Sequence, residues 1–226
     1  MQKIVLSLGG SLFAGDVFNV EYLKKIKKII FDSTRRNYFY IVVGGGKLCR
    51  NYQSYSRKIG KVSNFDLDLL GIQATRLNAE IVRSMFGKCS SEEIFLDPNK
   101  TSKFSPTKKI QVGGGWRPGN STDYVATYLA VKNGVKMVIN LTNVDYIYDK
   151  DPNKFTDAKK LEKIGWRVLR EIFGNKWIPG LHLPFDPIAC QLAEKNHLTV
   201  AILNGNNLAN LNAFLQGKKF KGTVIS

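Results

Sequence analysis

Three apolar runs in this chain end in glycine turns, a pattern that constrains the fold more than any other feature of the sequence. The richest turn, residues 113–123, reads G-G-G-W-R-P-G-N-S-T-D. A β-like run, 109–112, leads into it, and an apolar-periodic segment, 124–131, follows. Strand, glycine turn and helix start point backbone N–H groups at an anion. Asn120, Ser121, Thr122 and Asp123 each carry a side chain suited to cap that helix. An ordinary capped turn would explain one such stretch. The others are Gly9-Gly10-Ser11, after the run 3–8, and Gly44-Gly45-Gly46-Lys47, after Y-F-Y-I-V-V. A helix over 48–59 follows the triple glycine, with Lys47 and Arg50 near its start to meet anionic charge. The spacing G-x-x-x-x-G-K-[ST] is absent, so this is not a Walker A loop.

Between and beyond these turns, strands and helices alternate. A helix is expected over 19–36, capped by Asn19, with Val20, Leu23, Ile26, Ile29 and Ile30 on one stripe. A second spans 65–85, with Leu69, Leu70, Ile72, Leu77 and Ile81 as core candidates and Asp66, Asp68 and Arg76 opposite them. A short strand at 94–96 interrupts a polar loop, and a buried strand at 136–141 follows Gly134. The turn T-N-V-D-Y-I-Y-D-K-D-P comes next, with Asp145, Asp149 and Asp151. Residues 153–185 read as irregular, anchored by Trp166 and Trp177 and broken by Pro179 and Pro184. Helix 186–196, strand 198–203, helix 208–215 and a closing strand 222–225 complete the chain. The class is α/β with a mostly parallel sheet, one domain over 1–226. In such folds the loops after the carboxyl ends of parallel strands bind ligands.

Composition narrows the function classes. No run approaches the roughly 18 apolar residues needed to span a bilayer. The N-terminal run is too short and glycine-broken for a signal peptide. Cys49, Cys89 and Cys190 are odd in number and widely spaced, as in a reducing cytoplasm and unlike a disulfide framework or zinc site. With His182 and His197 the only histidines, no histidine metal cluster is expected and no metal ligand set is assigned. The net charge of +16 comes from dispersed lysines. It suits a basic surface that attracts phosphorylated small molecules better than a nucleic-acid module.

The segments V-V-G-G-G-K-L-C-R, G-G-W-R-P-G-N-S-T-D, L-T-N-V-D-Y-I-Y-D-K-D-P and F-D-P-I-A occur in that order. In this they resemble the uridylate (UMP) kinases of the amino-acid kinase superfamily, the archaeal type above all. The similarity runs from Lys3 to the terminal G-T-V-I. The resemblance implies a three-layer α/β/α fold. It also implies a cytoplasmic, magnesium-dependent transfer from ATP to UMP in pyrimidine biosynthesis, and a homo-oligomer, a hexamer built from dimers. The phosphoacceptor half would be about 1–130 and the ATP half 131–226.

Carried over by position, Gly9, Gly10 and Ser11 would border the transferring phosphates. Gly45 would contact UMP, and Gly46 and Arg50 ATP. Asp68 would bind UMP, as would Gly115, Trp116, Arg117, Pro118, Gly119, Asn120 and Ser121. Thr142, Tyr148 and Asp151 would hold ATP, and Asp145 would organise the centre. Ser7 and Gln191 stand where many relatives have lysines. Lys47, Arg50 and Arg117 remain as cations near the glycine turns, and Lys47 is expected to carry much of the lost catalytic role. The alternatives are a nucleotide-binding relative without turnover and a kinase of another small acceptor.

Overall fold

The computed structural model describes residues 1–152, 154–173 and 184–226. Trp177, Pro179 and His182 lie outside the described residues. Strands β1 (Gln2–Leu8), β2 (Asn37–Val43), β3 (Ile110–Gly113) and β4 (Met137–Thr142) are joined through helices α1 (Val20–Ser33), α2 (Gly46–Ile59), α3 (Asn64–Ser84) and α4 (Thr122–Lys132). Two short strands, β5 (Ile147–Tyr148) and β6 (Lys160–Leu161), pair as an antiparallel ribbon. Strand β7 (Lys163–Ile164), helices α5 (Trp166–Phe173) and α6 (Pro187–Lys195), strand β8 (Thr199–Asn204), helix α7 (Leu208–Leu215) and strand β9 (Thr223–Ile225) follow.

The main sheet has seven strands in the order β3-β2-β1-β4-β8-β9-β7. Its pairs are parallel except β8 with β9. Both faces of the central strands are covered, so β1 and β2 are apolar almost throughout, as buried parallel strands are. Alternation along β1 sorts the two cores. Ile4, Leu6 and Leu8 pack with α1, α3 and α7, while Val5 packs with α4, α5 and α6. This is a three-layer α/β/α sandwich. The chain leaves β1 toward β2 and β3, then returns to its other side with β4. The strand order therefore reverses between β1 and β4, where open α/β sheets bind ligands.

Four expectations are corrected. On α3, Leu69, Leu77 and Ile81 face solvent, and Leu70 is half-buried. Of the five core candidates only Ile72 is buried. The inner face instead carries Leu67, Gly71, Ala74, Thr75, Asn78, Ala79 and Val82, because α3 lies against glycine turns that leave room only for small side chains. Residues 94–96 form no strand. Phe95 makes a single bridge to Gly113 and lays its ring where a Gly113 side chain would be. The stretch 153–185 contains β6, β7 and α5. Trp166 and Leu169 are buried on α5, and Trp166 Nε1 donates to Leu198 O at 3.1 Å. Val20 begins α1 but is exposed, whereas Leu23, Ile26 and Ile30 are buried as expected.

Candidate active site

The segments singled out from sequence converge at the carboxyl ends of the parallel strands. Gly9–Ser11 follows β1, Gly44–Lys47 follows β2, the 114–121 loop follows β3, and Thr142–Asp145 follows β4. The first two turns interlock. A Cβ on Gly10 would sit 2.3 Å from Gly44 O and 2.4 Å from Gly46 N, so only glycine permits this approach. Gly46 has φ +62, and a Cβ there would sit 2.6 Å from Gly10 O and 2.7 Å from Ala14 O. A residue with a side chain is disfavoured there on both counts. Gly45 caps α2 without a side chain, so no side-chain oxygen covers the first N–H groups of the helix.

The third turn works differently from its sequence reading. Side chains on Gly113, Gly114 and Gly115 would collide with Phe95, Thr75 and Ile72. These glycines admit α3 and the Phe95 ring. The Gly115 N–H donates to Thr75 Oγ1 at 2.6 Å and is not aimed at an anion. Arg76 Nε donates to Gly115 O at 3.3 Å, and Gly119 N–H donates to Asp68 Oδ2 at 2.7 Å. The loop expected to bind UMP is thus tied to α3, and Asp68 is part of the tie. Trp116 stacks obliquely on Tyr128 and carries the Arg117 guanidinium 4.2 Å above its ring. Among the four possible caps of α4, Ser121 is the one used: its Oγ accepts from Tyr124 N. Pro118 and Asn120 lie in the turn between, where Asn120 N–H donates to Arg117 O.

Across the switch point, Asp145 is exposed and held by Asn204 Nδ2 from the end of β8, at 2.8 Å. Thr142 O accepts from Gly205 N, which joins the ends of β4 and β8. Tyr148 lies on the β5–β6 ribbon against Tyr146, and Asp151 follows with its side chain mostly covered. Lys47 pairs with Asp16, and its N–H donates to Ala14 O. Arg50, one turn further along α2, is exposed.

Beneath these turns lies a polar group that sequence reasoning passed over. Ser7, almost fully buried, donates to Asp123 Oδ1 at 3.0 Å, and the Asp186 N–H donates to Oδ2 at 3.3 Å. Asp123 as a residue keeps some solvent contact, but its carboxyl is enclosed by protein. That enclosure pushes its pKa up to about 6, with the Asp186 charge adding to the rise and the Ser7 hydrogen bond opposing it. Asp186 also caps α6 through Ile188 N and Ala189 N. Asp123 was legible only as a cap candidate, because its distance from Ser7 in sequence hides their contact.

A model of the amino acid kinase family matches residues 2–204. The chain belongs to the amino acid kinase family. Curated relatives of this family member include the uridylate kinase of Methanobrevibacter smithii, 33% identical over 99% of both chains. That of Thermoplasma volcanium is 35% identical over 99% of this chain and 97% of its own. Among solved structures, the uridylate kinase of Archaeoglobus fulgidus superposes with a TM-score of 0.85 at 32% identity, covering both chains completely. The UMP kinase of Ureaplasma parvum, at 20% identity and a TM-score of 0.79, shares the fold. The fold described above is therefore that of an amino acid kinase.

Proposed function

We propose that the chain is an ATP-dependent uridylate kinase that moves the γ-phosphoryl group of ATP to UMP, giving ADP and UDP. One observation carries the reading: two interlocked glycine turns occupy the switch point, between an acceptor loop tied to α3 and a polar turn after β4. Full-length similarity to archaeal uridylate kinases supports the same substrates. Residues 1–130 supply the acceptor half and 131–226 the ATP half, on one continuous sheet.

Phosphoryl transfer asks mainly for positioning and for charge against the equatorial and bridging oxygens. Gly10, Ser11 and Gly46 bring backbone amides to the transferring phosphates, bordered by Gly9, whose own N–H donates to Leu141 O, and Arg50, Thr142, Tyr148 and Asp151 hold ATP. Gly45, Asp68 and the loop Gly115–Ser121 hold UMP. Ser7 spends its hydroxyl on Asp123, so neither it nor the uncharged Gln191 neutralises the transition state. Lys47, at the mouth of the triple glycine, supplies that charge once it leaves Asp16.

Among the described residues no group of three or more His, Cys, Asp or Glu could cage a metal. The single exposed carboxylate of Asp145 fits magnesium, which keeps several waters and is usually bound by one or two carboxylates plus substrate phosphates. Asp145 would hold it, with Asn204 fixing one carboxylate oxygen. When bound, the ion supplies charge neutralisation to the phosphate oxygens. Among the described residues no helix is long and apolar enough to cross a membrane. We place the enzyme in the cytoplasm, in pyrimidine nucleotide synthesis, with ATP and UMP as its ligands.

The protein acts as a homo-oligomer, dimers assembling to a hexamer. The apolar stripe of Phe65, Leu69, Leu77 and Ile81 on α3 supports a two-fold contact. A coupled ADP-release assay across UMP, CMP, carbamate, aspartate and isopentenyl phosphate tests the function. Turnover is expected with UMP, and activity confined to a non-nucleotide acceptor overturns the assignment.

A further inference from the structure

Helix α3 carries two polar side chains where a packed helix ordinarily carries apolar ones. Thr75 is 7% exposed and Asn78 0%. They are three residues apart and share one face of the helix. Asn78 Nδ2 donates to Gly44 O at 3.0 Å and to Gly45 O at 3.2 Å. Thr75 Oγ1 donates to Ile72 O and accepts the Gly115 N–H. One rigid element thus fastens the turn after β2 and the loop after β3 together.

The Asn78 contacts have a directional consequence. In a trans peptide the carbonyl and the next N–H point to opposite sides. Drawing the Gly44 and Gly45 carbonyls onto Asn78 therefore turns the Gly45 and Gly46 N–H groups away from α3. Among the described residues these two N–H groups donate to nothing, whereas the flanking Gly44 and Lys47 N–H groups donate to Leu8 O and Ala14 O. Asn78 keeps this arrangement at a cost: its Oδ1 is buried without a partner. An apolar side chain of similar size would avoid that orphan oxygen but would release both carbonyls. Thr75 acts on the other turn. With Arg76 on Gly115 O and Asp68 on the Gly119 N–H, it fixes the acceptor loop at three points.

We propose that Asn78 and Thr75 are positioning residues, which aim the Gly45 and Gly46 amides at the substrate phosphates and hold the 115–119 loop in register with the acceptor. The proposal deepens the uridylate kinase reading and rests on it for the identity of the substrates. The carbonyl-and-amide geometry itself does not depend on that reading.

Three variants test it: Asn78→Leu, Thr75→Val and, as the conservative rescue, Thr75→Ser. Each is followed by steady-state kinetics with UMP and ATP and by hydrogen–deuterium exchange. Asn78→Leu is expected to lower kcat by about tenfold or more, with both KM values moving less than about threefold, since misdirected amides cost transition-state charge stabilisation. Thr75→Val is expected to raise the UMP KM by about five- to tenfold, the scale of one buried hydrogen bond, while the ATP KM stays put. Thr75→Ser should restore it. Exchange should rise at 44–47 in Asn78→Leu and at 113–119 in Thr75→Val, with β1 and β4 unchanged. Equal loss for both substrates, or faster exchange throughout the sheet, would make the two residues merely structural and overturn the proposal. Should Asn78→Leu not fold, Asn78→Ala carries the same readouts without overpacking. Absence of UMP turnover in the parent protein would count against the substrate assignment. The exchange pattern would still decide the anchoring, because unchanged exchange at both segments refutes it whatever the substrate.

Discussion

At the mouth of the triple-glycine turn, Lys47 shares its charge with Asp16, a pair in which the carboxylate is largely exposed. Exposed pairs of this kind contribute about 0–1 kcal/mol, so an incoming phosphate can displace Asp16 at little cost. Lys47→Met is therefore expected to cut turnover about 10²-fold or more with UMP affinity nearly intact, as for other single electrostatic groups. Asp16→Asn should leave turnover unchanged or raise it, and a fall in that variant would tie the pair itself to catalysis. Asp68 offers a second residue-scale test. Asp68→Asn can still accept the Gly119 N–H through its remaining oxygen, but it loses an acceptor for ribose hydroxyls. Isothermal titration should then find weaker UMP binding and unchanged ATP binding.

Asp123 makes a pH-dependent contribution whose sign follows from its raised pKa. Its ordinary value is 3.8 and its folded value about 6, so between these limits the folded state holds more proton than the unfolded one. The group's favourable contribution is complete below about pH 4 and is lost as pH rises through about 6. At about 1.4 kcal/mol per pKa unit the difference is at most about 3 kcal/mol, less for any solvent contact that Asp123 keeps. Thermal melts of the parent and Asp123→Asn should therefore converge toward pH 4 and diverge toward pH 7, the variant being the more stable at neutral pH. The charged neighbour is Asp186, and the enclosed thiol of Cys190 also faces the pair. A gap independent of pH would mean that Asp123 is not the titrating group.

At the scale of elements, three turns of similar composition do two different jobs. Gly10, Gly44 and Gly46 let two backbones touch, and a single methyl group there would drive into a carbonyl or an amide. Gly10→Ala is expected to cost about 2 kcal/mol or more, the scale of overpacking a site that cannot relax. It should weaken ATP binding as well, readable as a lower Tm together with a higher ATP Kd. In the β3 loop the glycines receive α3 and Phe95, and the loop is shaped by side chains from that helix. The polar interruptions at Thr75 and Asn78 were present in the sequence as breaks in an apolar stripe. Their meaning was hidden because the exposed Leu69, Leu77 and Ile81 make a stronger stripe on the wrong face.

For the whole molecule, that outer stripe is the observation that supports the proposed assembly. Phe65 is 60% and Leu77 56% exposed, one on each side of the helix centre, so a two-fold copy could bury both at once. Light scattering at micromolar concentration should report an oligomer, and Leu77→Lys should shift it toward smaller species while single-chain stability holds. A monomeric parent would refute the assembly. The net charge of +16 does not oppose association when the lysines lie off this face. Lys24, Lys25, Lys27 and Lys28, for example, are exposed on α1.

The sequence by itself determined the α/β class, the positions of nearly all long elements and the Asn19 cap. It also marked the segments that would meet at the site. These follow from local causes: apolar periods of two and 3.6, side chains able to cap, and glycines at strand ends. Only the tertiary structure decided which helix face is inside, which of four residues caps α4, and whether a glycine admits a neighbouring turn or a neighbouring helix. It alone placed Asp123 on Ser7, 116 residues away, and Asn78 on the carbonyls of Gly44 and Gly45. Such contacts come from how α4 packs over β1 and α3 over the turn after β2, and no local period in the chain encodes that packing.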